Sequence, residues 1–268
     1  MRTPSEVLPA AGHTLAELRR TAPLIQCITN SVTTSLVANV LLALGASPAM
    51  VDVPGEAGLF ARSCGALLVN IGTPVHEQRT AMVEAVTAAT DAGTPWVLDP
   101  VAVGLLPVRT ELAHRLTELR PTAIRGNASE IRALAGHGSG GKGVDSRDGV
   151  DDARTAAVEL AQRSGAVVAV SGAVDLITDG ESIVRIGNGD PLFTRMTGAG
   201  CALGAVIAAF IATSPDRLGA VAGAVAIYGV AGELAARQTQ QPGSFAVALL
   251  DALNVVDADA LATLGRLS

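Results

Sequence analysis

Leu24-Ile25-Gln26-Cys27-Ile28-Thr29, followed at once by Asn30-Ser31-Val32-Thr33-Thr34 and an apolar run to Leu44, makes one strand–helix unit. The first six residues form a compact strand. The Asn/Ser/Thr cluster suits a helix start, and Gly45 is a candidate for the left-handed residue that ends the helix. The rest of the chain repeats the unit. Strands are expected at 49–51, 66–71, 95–100 and 122–125, and near 166–170, 174–178 and 182–187. Between them fall helices over 55–63, from Pro74 to Ala92 with Gly93 as the stop, over 109–119, from Asn127 to Ala135, and over 150–164. Three alanine-rich helices close the chain. Residues 1–12 read as a loose arm leading to a short amphipathic helix over 13–20, and 136–149, rich in Gly, Ser and charge, as a flexible loop. Strands alternating with helices imply βαβ units, hence an α/β fold with a mainly parallel central sheet flanked by helices in three layers. No linker or composition break divides residues 1–268, so one domain is expected.

Composition fits that architecture. Apolar residues are 49% and charged ones 16% of 268, which excludes a disordered chain. Aromatics are only 2%, so Ala, Val, Leu and Ile must fill the core. The low charge also suggests surface buried in an oligomer. A net charge of −6, with no basic stripe and few aromatic platforms, argues against nucleic acid as a partner. Three separated cysteines, Cys27, Cys64 and Cys201, suggest neither a disulfide framework nor a zinc site, and make a reducing cytoplasm the default. The N-terminus has no signal-like apolar stretch, and the apolar runs around 199–212 and 220–231 are short and interrupted by Gly. They read as buried helices, with no membrane partner implied.

Met196-Thr197-Gly198-Ala199-Gly200-Cys201 is the most chemically suggestive stretch. Two glycines precede a long helix-compatible segment, which offers an anion the free N–H groups and positive dipole end of a helix. Close packing of helix on sheet explains the glycines equally well. A Walker A loop is excluded because no Lys follows, and a dinucleotide fingerprint would belong in the first βα unit. Cys201 is either a small buried hydrophobe or a thiol with a lowered pKa at a helix N-terminus. His13, His76, His114 and His137 are scattered, which disfavours a cysteine hydrolase. Asn127-Ala128-Ser129-Glu130 has the form of a capping box, and could also hold hydrated Mg²⁺ beside phosphates. Asp99 and Arg125 each sit near the end of a strand, where α/β enzymes bind ligands. Asp99 could equally cap a helix, and Arg125 could pair with Glu130 rather than with phosphate.

Taken together, the chain resembles the hydroxyethylthiazole kinases, the thiamine-salvage branch of the ribokinase-like superfamily, from about residue 13 to the last helix. The most specific stretch runs from Cys27-Ile28-Thr29-Asn30-Ser31-Val32 through Ala38-Asn39-Val40 to Gly45-Ala46-Ser47-Pro48-Ala49-Met50. Leu98-Asp99-Pro100-Val101, Arg125-Gly126-Asn127-Ala128-Ser129-Glu130-Ile131, Gly143-Val144-Asp145-Ser146 and Thr197-Gly198-Ala199-Gly200-Cys201 extend it. Sugar and pyrimidine kinases of the superfamily generally carry Asp after the Gly-Ala-Gly turn. Cys201 stands there as the thiazole kinases have it. Matching is weakest in the N-terminal arm and at Gly138-Ser139-Gly140-Gly141.

The resemblance implies transfer of the ATP γ-phosphate to the alcohol of 4-methyl-5-(2-hydroxyethyl)thiazole with Mg²⁺, in a homotrimer whose substrate pocket lies at the subunit interface. It implies Cys201 as base or orienting group, with Met50, Gly198 and Asn30 against the thiazole. Arg125, Ser171, Asn127 and Thr197 fall to ATP, and Glu130 and Asp99 to the metal, directly or through water. A kinase for another small alcohol, and a non-catalytic nucleotide- or thiazole-binding protein, are the competing readings.

Overall fold

The computed structural model describes residues 4–138 and 149–268. Five parallel strands alternate with helices: β1 (Leu24–Ile28), α2 (Thr34–Leu44), β2 (Ser47–Ala49), α3 (Ala57–Ala61), β3 (Ala66–Asn70), α4 (His76–Ala92), β4 (Trp96–Asp99), α5 (Pro107–Glu118), β5 (Ala123–Asn127) and α6 (Ala128–Ala135). After α7 (Arg154–Ser164) come β6 (Val167–Ser171), parallel to β5, and then β7 (Asp175–Thr178) and β8 (Ile183–Ile186), which pair antiparallel at the edge. The sheet order is β2-β1-β3-β4-β5-β6-β7-β8. The order reverses at β1, so the strands on either side of the β1–β3 gap send their connections to opposite faces. Such a switch point opens a crevice at the carboxyl ends of the strands.

Two hydrophobic layers sandwich the sheet, and the strand period of two assigns residues to them. Cys27, Leu68, Val97, Ala123 and Ala169 face one layer, while Leu67, Val69, Leu98, Ile124 and Val170 face the other. Helices α3 to α7 cover the second face. The first is covered by α2 and by α1 (Pro4–Thr21), α8 (Ala199–Thr213), α9 (Arg217–Gln238), α10 (Pro242–Val255) and α11 (Ala258–Leu264). By length and composition α9 could cross a bilayer, but most of it is buried inside the structure.

Two expectations change. Residues from Pro4 onward are not a loose arm: they belong to α1, whose buried Val7, Ala11, Leu15 and Leu18 recur at helical spacing. Pro9 and Gly12 disguise that period in the sequence. The chain ends in four helices rather than three, because Asp257 caps a further one by accepting the Ala260 N–H at 2.8 Å. Of the expected loop at 136–149, residues 139–148 lie outside the described residues, as does the Gly143–Ser146 match.

Candidate active site

The carboxyl ends of β1, β3, β4, β5 and β6 place Asn30, Asn70, Asp99, Arg125 and Ser171 side by side, with α8 starting above them. A continuous polar row results. Asn30 Nδ2 donates to Cys201 Sγ at 3.3 Å and to Asn70 Oδ1 at 2.9 Å. Asn70 Nδ2 donates to Asp99 Oδ2 at 2.7 Å, and Arg125 Nη1 lies 3.9 Å from the same oxygen. Arg125 then donates from Nη2 and Nε to Ser171 Oγ at 2.9 and 3.2 Å. Five strand ends and one helix thus share a single polar line, hydrogen-bonded on either side of the Asp99–Arg125 ion pair.

The start of α8 takes its shape from its glycines. Gly198 has φ +86°, a left-handed conformation, and a side chain there would also run into Thr33 Cγ2 at 2.6 Å. At Gly200 a Cβ would fall 2.5 Å from Arg125 Nη1, so the guanidinium packs directly on the helix backbone. No side chain caps this N-terminus. Ala199 N–H bonds the Met196 carbonyl at 3.5 Å, and the amides of Gly198, Gly200 and Cys201, with the positive end of the dipole, meet the Arg125 cation at one place, a setting suited to a multiply charged anion. Tyr228 buttresses the turn by donating to the Ala199 carbonyl at 2.9 Å.

Electrostatics revises the reading of the thiol. A helix N-terminus lowers a cysteine pKa, but burial and the neighbouring Asp99 carboxylate push Cys201 up, outweighing Arg125, Asn70 and Asn30. At neutral pH it is a thiol. Asp99 is fully buried, and desolvation raises it to about 7, opposed by Arg125 and Asn70 and reinforced by Glu130. Its Oδ1 is buried without a hydrogen-bond partner. Asp175, at the start of β7, is raised to about 7 by desolvation as well, while Arg125 and the Gly172 amide pull it down.

Asn127 and Glu130 do form the capping box: Asn127 Oδ1 accepts the Glu130 N–H at 2.9 Å and Glu130 Oε2 accepts the Asn127 N–H at 2.9 Å. Glu130 does more than cap. Its Oε1 accepts the N–H of Ala102 at 3.0 Å, and Ala102 holds φ +59° just beyond Asp99. Arg125 pairs with Asp99, not with Glu130.

Met50 and Thr197 stand outside the polar row. Met50 follows the edge strand β2 and packs in part against the core, in a loop pinned by Gln26 Nε2, which donates to the Val51 carbonyl at 2.9 Å. Thr197 is exposed beside the glycine turn. Motif spacing does not single out Asn70. Its signal is a polar residue inside the apolar run Ala66–Ile71, where a buried amide needs partners. No group of three or more His, Cys, Asp or Glu side chains forms a metal cage among the described residues.

The family model described as the hydroxyethylthiazole kinase family matches residues 15–259. A hydroxyethylthiazole kinase from Clavibacter sepedonicus is 58% identical, covering 97% of this chain and 94% of its own. One from Tolumonas auensis is 55% identical over 96% and 98%. The solved structure of a hydroxyethylthiazole kinase protein from Pyrococcus horikoshii matches with a TM-score of 0.90 and 34% identity, covering 97% of this chain and 98% of that one. A pyridoxal kinase from Staphylococcus aureus, solved with ADP, matches with a TM-score of 0.61 at 16% identity over 79% and 87%. That last likeness speaks to the fold alone, which is the three-layer, ribokinase-like one.

Proposed function

Because this chain belongs to the hydroxyethylthiazole kinase family, we propose that it transfers the γ-phosphate of ATP to the primary alcohol of 4-methyl-5-(2-hydroxyethyl)thiazole, a thiamine-salvage reaction. The observation that carries this reading is the polar row from Cys201 to Ser171 beneath the uncapped start of α8. One end of the row is neutral and suits an alcohol. The other is cationic and suits polyphosphate.

Phosphoryl transfer goes through a loose transition state, so charge neutralisation and alignment matter more than a strong base. The amides of Gly198, Gly200 and Cys201 and the Arg125 guanidinium receive the transferring group. Ser171, Asn127 and Thr197 hold the remaining nucleotide. Met50, Gly198 and Asn30 flank the thiazole, the thioether of Met50 being a polarisable surface for a flat heterocycle. Cys201, as a thiol, orients the alcohol rather than deprotonating it.

Asp99 and Glu130 fit a hydrated Mg²⁺ that arrives with the nucleotide, since Mg²⁺ commonly uses one or two carboxylates plus phosphate oxygens and water. The unpartnered Asp99 Oδ1 is an acceptor awaiting a cation or a donor. Bound there, Mg²⁺ would supply neutralisation of phosphate charge. The exposed Val32, Leu42, Val53 and Leu59 suit burial in an oligomer, which the family resemblance makes a homotrimer with the thiazole pocket at the subunit interface, and three free cysteines suit the cytoplasm.

A coupled ADP-release assay tests the reading: release requires the thiazole alcohol and Mg²⁺ together. Turnover of a pyrimidine alcohol with the thiazole inert would overturn it. Cys201→Ala lowers kcat roughly tenfold with the KM for ATP unchanged, short of the about 10²–10⁴-fold that a general base contributes. An unchanged rate would reduce the thiol to packing. Glu130→Gln retains only one carbonyl oxygen for two N–H groups. It costs about 1 kcal/mol in thermal or denaturant unfolding and raises the Mg²⁺ concentration needed for half-maximal rate. Loss of stability alone would leave Glu130 a cap.

A further inference from the structure

The polar row has a direction, and that direction reaches the substrate. Asn70 is fully buried, and its amide can face only one way. Its Oδ1 accepts the backbone N–H of Gly72 at 3.0 Å, a donor that cannot reverse, while its Nδ2 faces the Asp99 carboxylate at 2.7 Å. Turning the amide over would set N–H against N–H at Gly72. Asn30 inherits this constraint, because only its Nδ2 can face Asn70 Oδ1. An amide nitrogen has two hydrogens. One goes to Asn70 and the other to Cys201 Sγ, which leaves the Asn30 carbonyl oxygen as the atom available to a ligand.

We infer that Asn70 is a positioning residue that fixes the amide polarity of Asn30, so that the site presents a hydrogen-bond acceptor, not a donor, to the hydroxyl of the thiazole alcohol. This rests on the kinase reading above. The ligand's O–H is thereby held on the Asn30 side, which turns the oxygen lone pairs elsewhere. The site consequently selects for a hydrogen on the terminal atom of the side arm. An isosteric group that only accepts gains nothing from it and meets the Asn30 oxygen as a repulsion.

Calorimetric Kd values for three probes test this: the hydroxyethylthiazole and its 5-ethyl and 5-(2-fluoroethyl) counterparts. In the unaltered protein the alcohol binds about tenfold more tightly than the ethyl compound, the worth of one hydrogen bond, and the fluoroethyl compound binds no better than the ethyl. Fluoroethyl binding as tight as that of the alcohol overturns the inference. In Asn70→Leu, Asn30 loses its template and the preference for the alcohol falls to within about twofold. In Asn70→Asp the acceptor for Asn30 and Gly72 persists, a proton shared with Asp99 Oδ2 replacing the lost N–H, so the preference survives. A merely structural Asn70 would weaken all three probes alike in the Leu variant and keep the ratio near tenfold, which also overturns it. Should Asn70→Leu not fold, Asn70→Ala is read in its place with the same expected loss of preference, and the three probes on the unaltered protein decide whether the site presents an acceptor. Absence of binding by every probe, with no ADP release from the alcohol, overturns the kinase reading and this inference together, whereas turnover of the alcohol with equal fluoroethyl binding overturns the inference alone.

Discussion

Gly200→Ala keeps the fold and lowers kcat by about 10²-fold or more, the scale set by loss of one preorganised charge-stabilising group. Alanine is the better helix former, by about 1 kcal/mol over glycine, and Gly200 sits in the first turn of α8. That gain, smaller in a first turn than in a helix interior, offsets part of the cost of parting Arg125 from the buried Asp99. The new Cβ would stand 2.5 Å from Arg125 Nη1 and 2.7 Å from Nη2. The far end of an arginine can swing away, and in doing so it leaves Ser171 and the mouth of the helix N-terminus. Unfolding curves beside steady-state kinetics separate the two effects: a protein that still unfolds cooperatively, with a lowered Tm and a collapsed rate, is expected. A normal rate would mean that Arg125 is not needed where it stands.

Asp99→Asn has the second large effect, and a pH signature. The carboxyl is fully buried and raised to about 7, from an ordinary value of 3.8, mainly by desolvation. The fold prefers its protonated form. Its contribution to stability is complete below the unfolded pKa and is lost as pH rises through about 7. About three pKa units correspond to on the order of 4 kcal/mol between pH 4 and pH 8. Denaturant titrations of the ligand-free protein across that range show the decline, and Asp99→Asn, which cannot ionise, removes most of it. Asp175, raised to about 7 as well, leaves a residual slope. The variant also loses the carboxylate beside Arg125 and at the proposed metal position, and kcat falls by about 10²-fold or more. An unchanged slope would mean that Asp99 is solvated or permanently paired.

The fold was largely legible because its signals are local. Apolar runs such as Ala66–Ile71 and stops such as Gly45 and Gly93, both left-handed in the structure, mark each unit without knowledge of the rest. Asp99 and Arg125 could be picked out as polar residues at strand ends, whereas Ser171 came only from the family resemblance; the three lie in one line. Other features depend on what lies across the sheet. Helix α1 shows its period only once Val7 and Ala11 are seen to be buried. Asn70 hides within an apolar run, and its importance comes from neighbours on β1 and β4. The thiol of Cys201 is the instructive case. Its place on α8 argues for a lowered pKa, and burial against Asp99, invisible from spacing, reverses the sign.

The polar row also bears on how the protein comes into being. Its members lie at positions 30, 70, 99, 125, 171 and 201, and the helix start that completes it follows every strand of the sheet. Chains emerge from synthesis N-terminus first, so a nascent chain can lay down the whole sheet and still have no place for a phosphoryl group. ATP meets a finished site only after α8 has docked. Recovered activity after refolding is therefore a report on the entire molecule rather than on any half of it.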